Sequence, residues 1–347
     1  MAEPVSGPSL RELTSWHSDW STLRVVVVGL GATGFAIVDT LVERGATVMA
    51  VALDADNDVV RIMDVLGATS VMSHDAPERI HALEGFGPHL AVLSPGIRED
   101  DPVVGALRKR RVPLWSDVDF AWRVRDKSSA VSAWVLIAGD QTGVRIADLA
   151  QRMLHAGGVR ALVTGFSATP LLDALRDPHD YDTLLVVATD TQVSRLARHE
   201  PGGRSPLMAV CVDSDVSFSG GALYDGVRLG CVYRKGPGGT MPLVIDADVV
   251  DGARAIGLGS DSPGMSDIGI VEGIVVDRAF IEDRENLALE ITTLTELAEA
   301  GWAIATDLPV VLGAIAIARG HDVSPEVIAQ VLNMPESPLS SELNGAP

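Results

Sequence analysis

Two glycine turns hold the residues whose types and spacing could do chemistry. In the first, Arg24-Val-Val-Val-Val28 runs straight into Gly29-Leu-Gly-Ala-Thr-Gly34, followed by an amphipathic stretch over 35–44. A G-x-G-x-x-G between a strand and a helix lets the first glycine make a tight turn, and the N–H groups at the helix start can receive a phosphate. Asp54 follows the next strand, over 47–53, about where an acid that binds a ribose belongs in a dinucleotide fold. The residues alone leave two readings open. One is an NAD-binding oxidoreductase using Gly29 to Gly34 and Asp54; the other is glycines that only let strand and helix pack closely.

The second turn lies in Ala133-Trp-Val-Leu-Ile-Ala-Gly-Asp-Gln-Thr-Gly-Val-Arg-Ile146. Residues 134–138 read as a buried strand, 139–143 as a tight turn, and 146–154 as a helix with apolar residues at helical spacing. This is the order of a phosphate-cradling P-loop. A working loop ends in Gly-Lys-Ser/Thr, where the lysine reaches the terminal phosphates and the hydroxyl holds magnesium. Here the run is Gly139, Asp140, Gln141, Thr142, Gly143 and Val144, with no basic side chain. Such a loop can turn the chain but lacks the charge that offsets a triphosphate.

The remaining reactive residues form no constellation. Asp213-Ser-Asp215 offers two carboxylates to a hard cation, but reads better as a solvated turn. The eight histidines never fall at metal-ligand spacing, and neither G-x-S-x-G nor Cys-x-x-Cys occurs. No catalytic residue and no metal site are therefore expected. Trp16, Trp20, Trp115, Trp122 and Trp134 read as core or interdomain packing.

The elements that must position these turns alternate strand and helix, as in a parallel sheet covered on both faces. At 347 residues the chain has room for about two domains of roughly 150 residues. The expected division is a Rossmann-like unit over 1–128, a P-loop-NTPase-like unit over 129–333, and a polar, Pro-rich disordered tail over 334–347. Further strands are expected over 91–93, 184–188, 208–212 and 269–277. Residues 230–235 and 241–245, joined by Gly236-Pro-Gly-Gly239, read as a hairpin or paired edge strands. Helices are expected over 102–110, 308–319 and 324–332.

A net charge of −20 argues against a nucleic-acid backbone or an anionic membrane as partner. The one basic run, Arg108-Lys-Arg-Arg111, suits a helix C-terminus. Cys211 and Cys231, in apolar contexts, read as buried thiols of a reducing compartment. The N-terminus carries no export pattern, and the longest apolar run, over 308–318, is well short of the roughly 20 residues a membrane span needs. A cytoplasmic protein is expected.

Ser15-Trp-His-Ser-Asp-Trp20 before the first glycine turn, Ser94-Pro-Gly-Ile97, Val112-Pro-Leu-Trp-Ser-Asp-Val-Asp-Phe-Ala-Trp122, Gly252-Ala-Arg-Ala-Ile-Gly257 and Val276-Asp-Arg-Ala-Phe-Ile-Glu-Asp-Arg284 stand in one order along the chain. Together, over roughly 10–330, they resemble the Mur ligase family, in its actinobacterial branch that adds D-glutamate to a UDP-N-acetylmuramoyl-alanine precursor. The resemblance favours a UDP-sugar site over NAD in the first unit. It implies candidate UDP contacts at Gly31, Ala32, Thr33, Gly34, Asp54, Ser94, Pro95 and Gly96.

The resemblance also shows what differs. The family's Gly-Lys-Thr falls on Thr142, Gly143 and Val144, and its magnesium-binding glutamate falls near Ala188. Its Asn-x-x-x-Asp-His segment and carbamylated lysine fall around Val212 to Asp225, where no Asp-His pair stands. Its diphosphate-side asparagine falls on Phe166, and its uracil-side aspartate on Ala52, with Asp54 close enough to substitute. The family's third, closing domain is expected to have no counterpart after Leu332. A degenerate homologue is expected, without the family's ATP and magnesium, binding a UDP-N-acetylmuramoyl precursor or a cell-wall enzyme. The alternative is an active D-glutamate ligase whose missing parts come from another chain.

Overall fold

The computed structural model describes residues 10–128, 130–177, 179–196, 203–213 and 222–334. The expected tail lies outside these residues apart from Met334. A short turn of 3-10 helix, Leu10–Glu12, leads in. The first sheet then alternates β1 (Arg24–Val28), α1 (Ala32–Glu43), β2 (Thr47–Ala52), α2 (Asn57–Leu66), β3 (Thr69–Met72), α3 (Ala76–Phe86), β4 (Leu90–Leu93), α4 (Pro102–Lys109), β5 (Leu114–Ser116) and α5 (Asp117–Arg123). Its strand order is β3-β2-β1-β4-β5, all parallel. The valines of β1 are buried because helices cover both faces of the sheet, which is why this strand reads as an unbroken apolar run. The order reverses between β1 and β4, and such a switch point opens a crevice at the carboxyl ends of the strands.

The second sheet contains β6 (Ala133–Ala138), α6 (Gln141–Ala156), β7 (Ala161–Gly165), α7 (Leu171–Arg176), β8 (Thr183–Ala188), α8 (Asp190–Arg195), β9 (Met208–Cys211), β10 (Gly230–Arg234), α9 (Pro242–Ile245), β11 (Arg254–Leu258), β12 (Asp267–Val271), β13 (Ile274–Asp277) and β14 (Leu289–Thr293). Helices α10 (Leu294–Glu299), α11 (Ile304–Arg319) and α12 (Pro325–Leu332) follow. The strand order is β14-β13-β12-β11-β10-β9-β6-β8-β7, parallel from β7 to β12 and antiparallel at β13 and β14. Helix α11 is buried along nearly its whole apolar length. Gly313 lets it approach α6, for a Cβ there would stand 3.3 Å from Ile146. Among the described residues no helix is long and apolar enough to cross a membrane.

Two expectations are corrected. Residues 230–235 do not pair with 241–245: β10 lies inside the sheet, parallel to β9 and β11, and Pro242 starts the short helix α9 instead. Proline suits the first turn of a helix, where its missing N–H has no intrahelical partner to lose. The single β segment expected over 269–277 is a hairpin of β12 and β13 turning at Glu272 and Gly273, both with positive φ.

One apolar core runs between the sheets, from Trp20 and Phe120 to Leu172, Leu184 and Tyr224. Trp122 and Trp134 meet edge to face within it, their ring centroids 5.0 Å apart. Polar groups from both sides close the seam. Gln192 of α8 donates its amide N–H to both oxygens of Asp117 at 2.9 Å, and Arg204 donates to Asp119 at 2.8 Å. Outside these, Arg176 pairs with Asp39 and Glu43.

Burial pushes the carboxyl of Asp117 up to about 6, against the hydrogen bonds from Gln192. The folded chain thus holds this proton more tightly than the unfolded chain, so the group's contribution to stability is full below about pH 4 and is lost as pH rises past about 6. Compared with Asp117→Asn, the native protein is expected to lose about 3 kcal/mol more unfolding free energy between about pH 4 and pH 7. Urea denaturation across that range checks this; parallel profiles for the two proteins would contradict it.

Candidate functional site

The first glycine turn sits at the switch point of the first sheet. Gly29, with φ +92°, takes a backbone conformation that favours glycine, and its N–H donates to Val51 O at 2.9 Å. A Cβ on Gly34 would stand 2.1 Å from the carbonyl oxygen of Gly29 and 2.8 Å from the Ser94 hydroxyl. That hydroxyl donates to Gly29 O at 3.0 Å, bracing the β1 turn against the β4 turn. Gly29 and Gly34 are thus required by the close packing of the two turns. Gly31 differs: it precedes α1 without a side-chain cap, and a Cβ there would meet nothing within 4 Å. Gly31 and Ala32 are exposed and Thr33 is half-buried, so the free N–H groups of the first turn of α1 face open space.

The β4 turn lies beside it. Ser94 is engaged within the fold: its backbone N–H donates to Val28 O at 3.0 Å and its hydroxyl to Gly29 O. Pro95 has no N–H, which leaves the exposed Gly96 as the free donor of this segment. Asp54 is exposed two residues beyond the end of β2, while Ala52 is buried at that end.

The second glycine turn is tighter than its sequence suggests. Gly139, with φ +112°, and Asp140 alone separate β6 from α6, and Gln141 is already helical. Thr142, Gly143 and Val144 thus lie in the first turns of α6 instead of in an open loop. Gly143 is buried; a Cβ on it would stand 3.1 Å from the side chain of Val187, near the end of β8. Ala188 is buried beside Val187, and the N–H of the half-buried Phe166 donates to Val187 O at 3.0 Å.

Three carboxylates share the mouth of this turn. Burial raises the pKa of Asp190, and the charges of Asp140 and Asp213 raise it further. Even so, among the described residues no group of three or more His, Cys, Asp or Glu is placed to hold a metal ion. Asp215 and most of the segment expected to carry the family's Asp-His pair fall in 214–221, outside the described residues. Cys211 and Cys231 are buried thiols, each pushed up to about 12 by burial, which makes them poor nucleophiles.

A cavity of about 620 Å³ at the carboxyl ends of β10 and β11 escaped the sequence reading. Arg234, Lys235, Leu258, Asp261, Leu308 and Leu312 are among its walls. Lys235 crosses it to Asp261 at 3.0 Å and Asp267 at 2.9 Å. In sequence its sign is Arg-Lys ahead of Gly-Pro-Gly-Gly239, a run that reads as a hairpin turn.

Fold and turns together define an α/β protein with a Rossmann-like unit followed by a P-loop-NTPase-like unit. No family model matches the chain, but individual relatives do. The chain is 40% identical to UDP-N-acetylmuramoylalanine–D-glutamate ligase of Leifsonia xyli subsp. xyli, over 95% of its own length and 67% of that protein. It is 34% identical to the ligase of the same name from Tropheryma whipplei, over 92% of its own length and 68% of the relative. In fold it is similar to UDP-N-acetylmuramate:L-alanyl-gamma-D-glutamyl-meso-diaminopimelate ligase from Neisseria meningitides, with TM-score 0.50, 14% identity, and coverage of 91% of this chain and 98% of the other. The chain belongs to the Mur ligase family.

The glycines of the first turn separate packing from access. Gly34→Ala is expected to destabilise the fold by about 3 kcal/mol or more, because backbone must shift to admit the methyl group. Gly31→Ala is expected to change stability by less than about 0.5 kcal/mol. Thermal unfolding of both variants checks this, and equal losses would contradict it.

Proposed function

We propose that this chain is a catalytically degenerate Mur ligase homologue that acts by binding a UDP-N-acetylmuramoyl precursor, or a cell-wall enzyme, without ligating. One observation carries the reading: where the family's lysine would stand, Gly143 is packed against Val187, and three carboxylates surround the turn. A lysine in that place offsets triphosphate charge, whereas clustered carboxylates repel it. The residues present thus do not fit ATP with magnesium.

The first unit fits a uridine diphosphate better. Backbone donors at a helix start do not depend on side-chain identity, and Gly31 and Ala32 there are exposed, with Thr33 half-buried and Gly34 buried behind them. Gly96 adds one donor and Asp54 an exposed acid. The alternative, an active D-glutamate ligase, is favoured by the 40% identity to a protein of that name.

Titration with UDP is expected to shift the amide resonances of residues 31–34 and 96, leaving that of Ser94 the least affected of the β4 turn. Unchanged shifts in a folded sample would remove the UDP-binding reading. The double variant Gly143→Lys with Val144→Thr is expected to show no D-glutamate ligation with UDP-N-acetylmuramoyl-alanine and ATP-magnesium, since Val187 and the carboxylates remain. Ligation by the native chain, alone or with cell extract, would favour the alternative.

A further inference from the structure

A second cavity, of about 290 Å³, opens where the ends of β4 and β5 meet α8. Leu93, Leu114 and Trp115 form its apolar side, and Glu99, Arg108 and Arg195 its polar side. Trp115 is fixed in place, edge-on to Trp20 with the Arg123 guanidinium 4.2 Å from its ring centroid. The two arginines come from different units, Arg108 from the last turn of α4 and Arg195 from the last turn of α8. Both bind the carboxylate of Glu99, Arg195 through Nε at 2.5 Å, and Arg195 also donates to the carbonyl of Ile97.

Exposure distinguishes the fixed partner from the movable one. The Arg195 side chain is 8% exposed, whereas that of Glu99 is 46% exposed, on the loop between β4 and α4. A guanidinium drawn out of water requires an anion opposite it. Glu99 supplies that anion from a surface loop, and its own pKa is lowered by Arg195 and Arg108 against the effect of burial. A ligand carboxylate could make the same paired hydrogen bonds, with an apolar body lying against Leu93, Leu114 and Trp115.

We propose that this cavity binds a small carboxylate with an aromatic or apolar body, and that Glu99 is its built-in competitor, lying where the ligand's carboxylate goes. A tethered carboxylate competes at an effective concentration on the order of millimolar, so the native site is masked from weak ligands. Removing the tethered charge lifts that competition.

Benzoate, with inorganic phosphate as a second probe, tests this by intrinsic fluorescence, with Trp115→Phe as the control for the reporting residue. Glu99→Gln is expected to bind benzoate at least tenfold tighter than the native protein, and Glu99→Asp to show a smaller gain. Adding Arg108→Gln, at a half-exposed position, to Glu99→Gln is expected to reverse the gain at least tenfold. The proposal is overturned if folded Glu99→Gln binds no benzoate, if affinity is indifferent to Glu99 and Arg108, or if phosphate binds in preference to benzoate. Should Glu99→Gln fail to fold, the comparison of Glu99→Asp with the native protein decides, and equal affinities overturn the proposal.

Discussion

The segment from Val187 to Gln192 ties the second glycine turn to the first unit, and the relative position of the two units depends on it. At one end Val187 fills the space beside Gly143 in the β6–α6 turn. At the other, Gln192 caps its own helix by accepting from Thr189 N–H at 2.9 Å, and donates to the buried Asp117 of the first unit. Removing one member of a buried polar set leaves its partner without compensation, at a cost of several kcal/mol. Gln192 and Arg204 therefore hold the two units at one relative position, around a core they share.

That seam also engages several cations of the second unit. Arg176, Arg195 and Arg204 are committed to carboxylates of the first unit, and Lys235 to Asp261 and Asp267. The β6–α6 turn itself has no basic residue from Gly139 to Val144. Three arginines of the second unit thus join the two units, and none of them stands in the second turn. The first turn presents helix-start N–H groups, which carry partial positive charge whatever side chains surround them.

The fold was largely legible because its signals are local: valines entering a glycine turn, an apolar run before Gly139, and caps such as Ser324 ahead of α12. The reading of 230–245 failed because a buried parallel strand and a hairpin arm look alike as short apolar runs, and Gly236-Pro-Gly-Gly239 supplied a convincing turn. At the candidate site, sequence located both turns but could not separate Gly31 from Gly34, since only neighbours in space reveal which glycine is crowded. Ser94 shows the same limit, its donors being consumed by Val28 and Gly29. The seam was illegible for a simpler reason: Gln192 and Asp117 are 75 positions apart, and Arg204 and Asp119 are 85 apart.

The central claim is that the second turn has the shape of a nucleotide site without its charge. Equilibrium dialysis of the purified chain against ATP, with and without magnesium, tests it most directly. The account predicts no saturable, magnesium-dependent binding at micromolar ATP. Such binding, abolished by a substitution in the β6–α6 turn such as Gly139→Val, would contradict it.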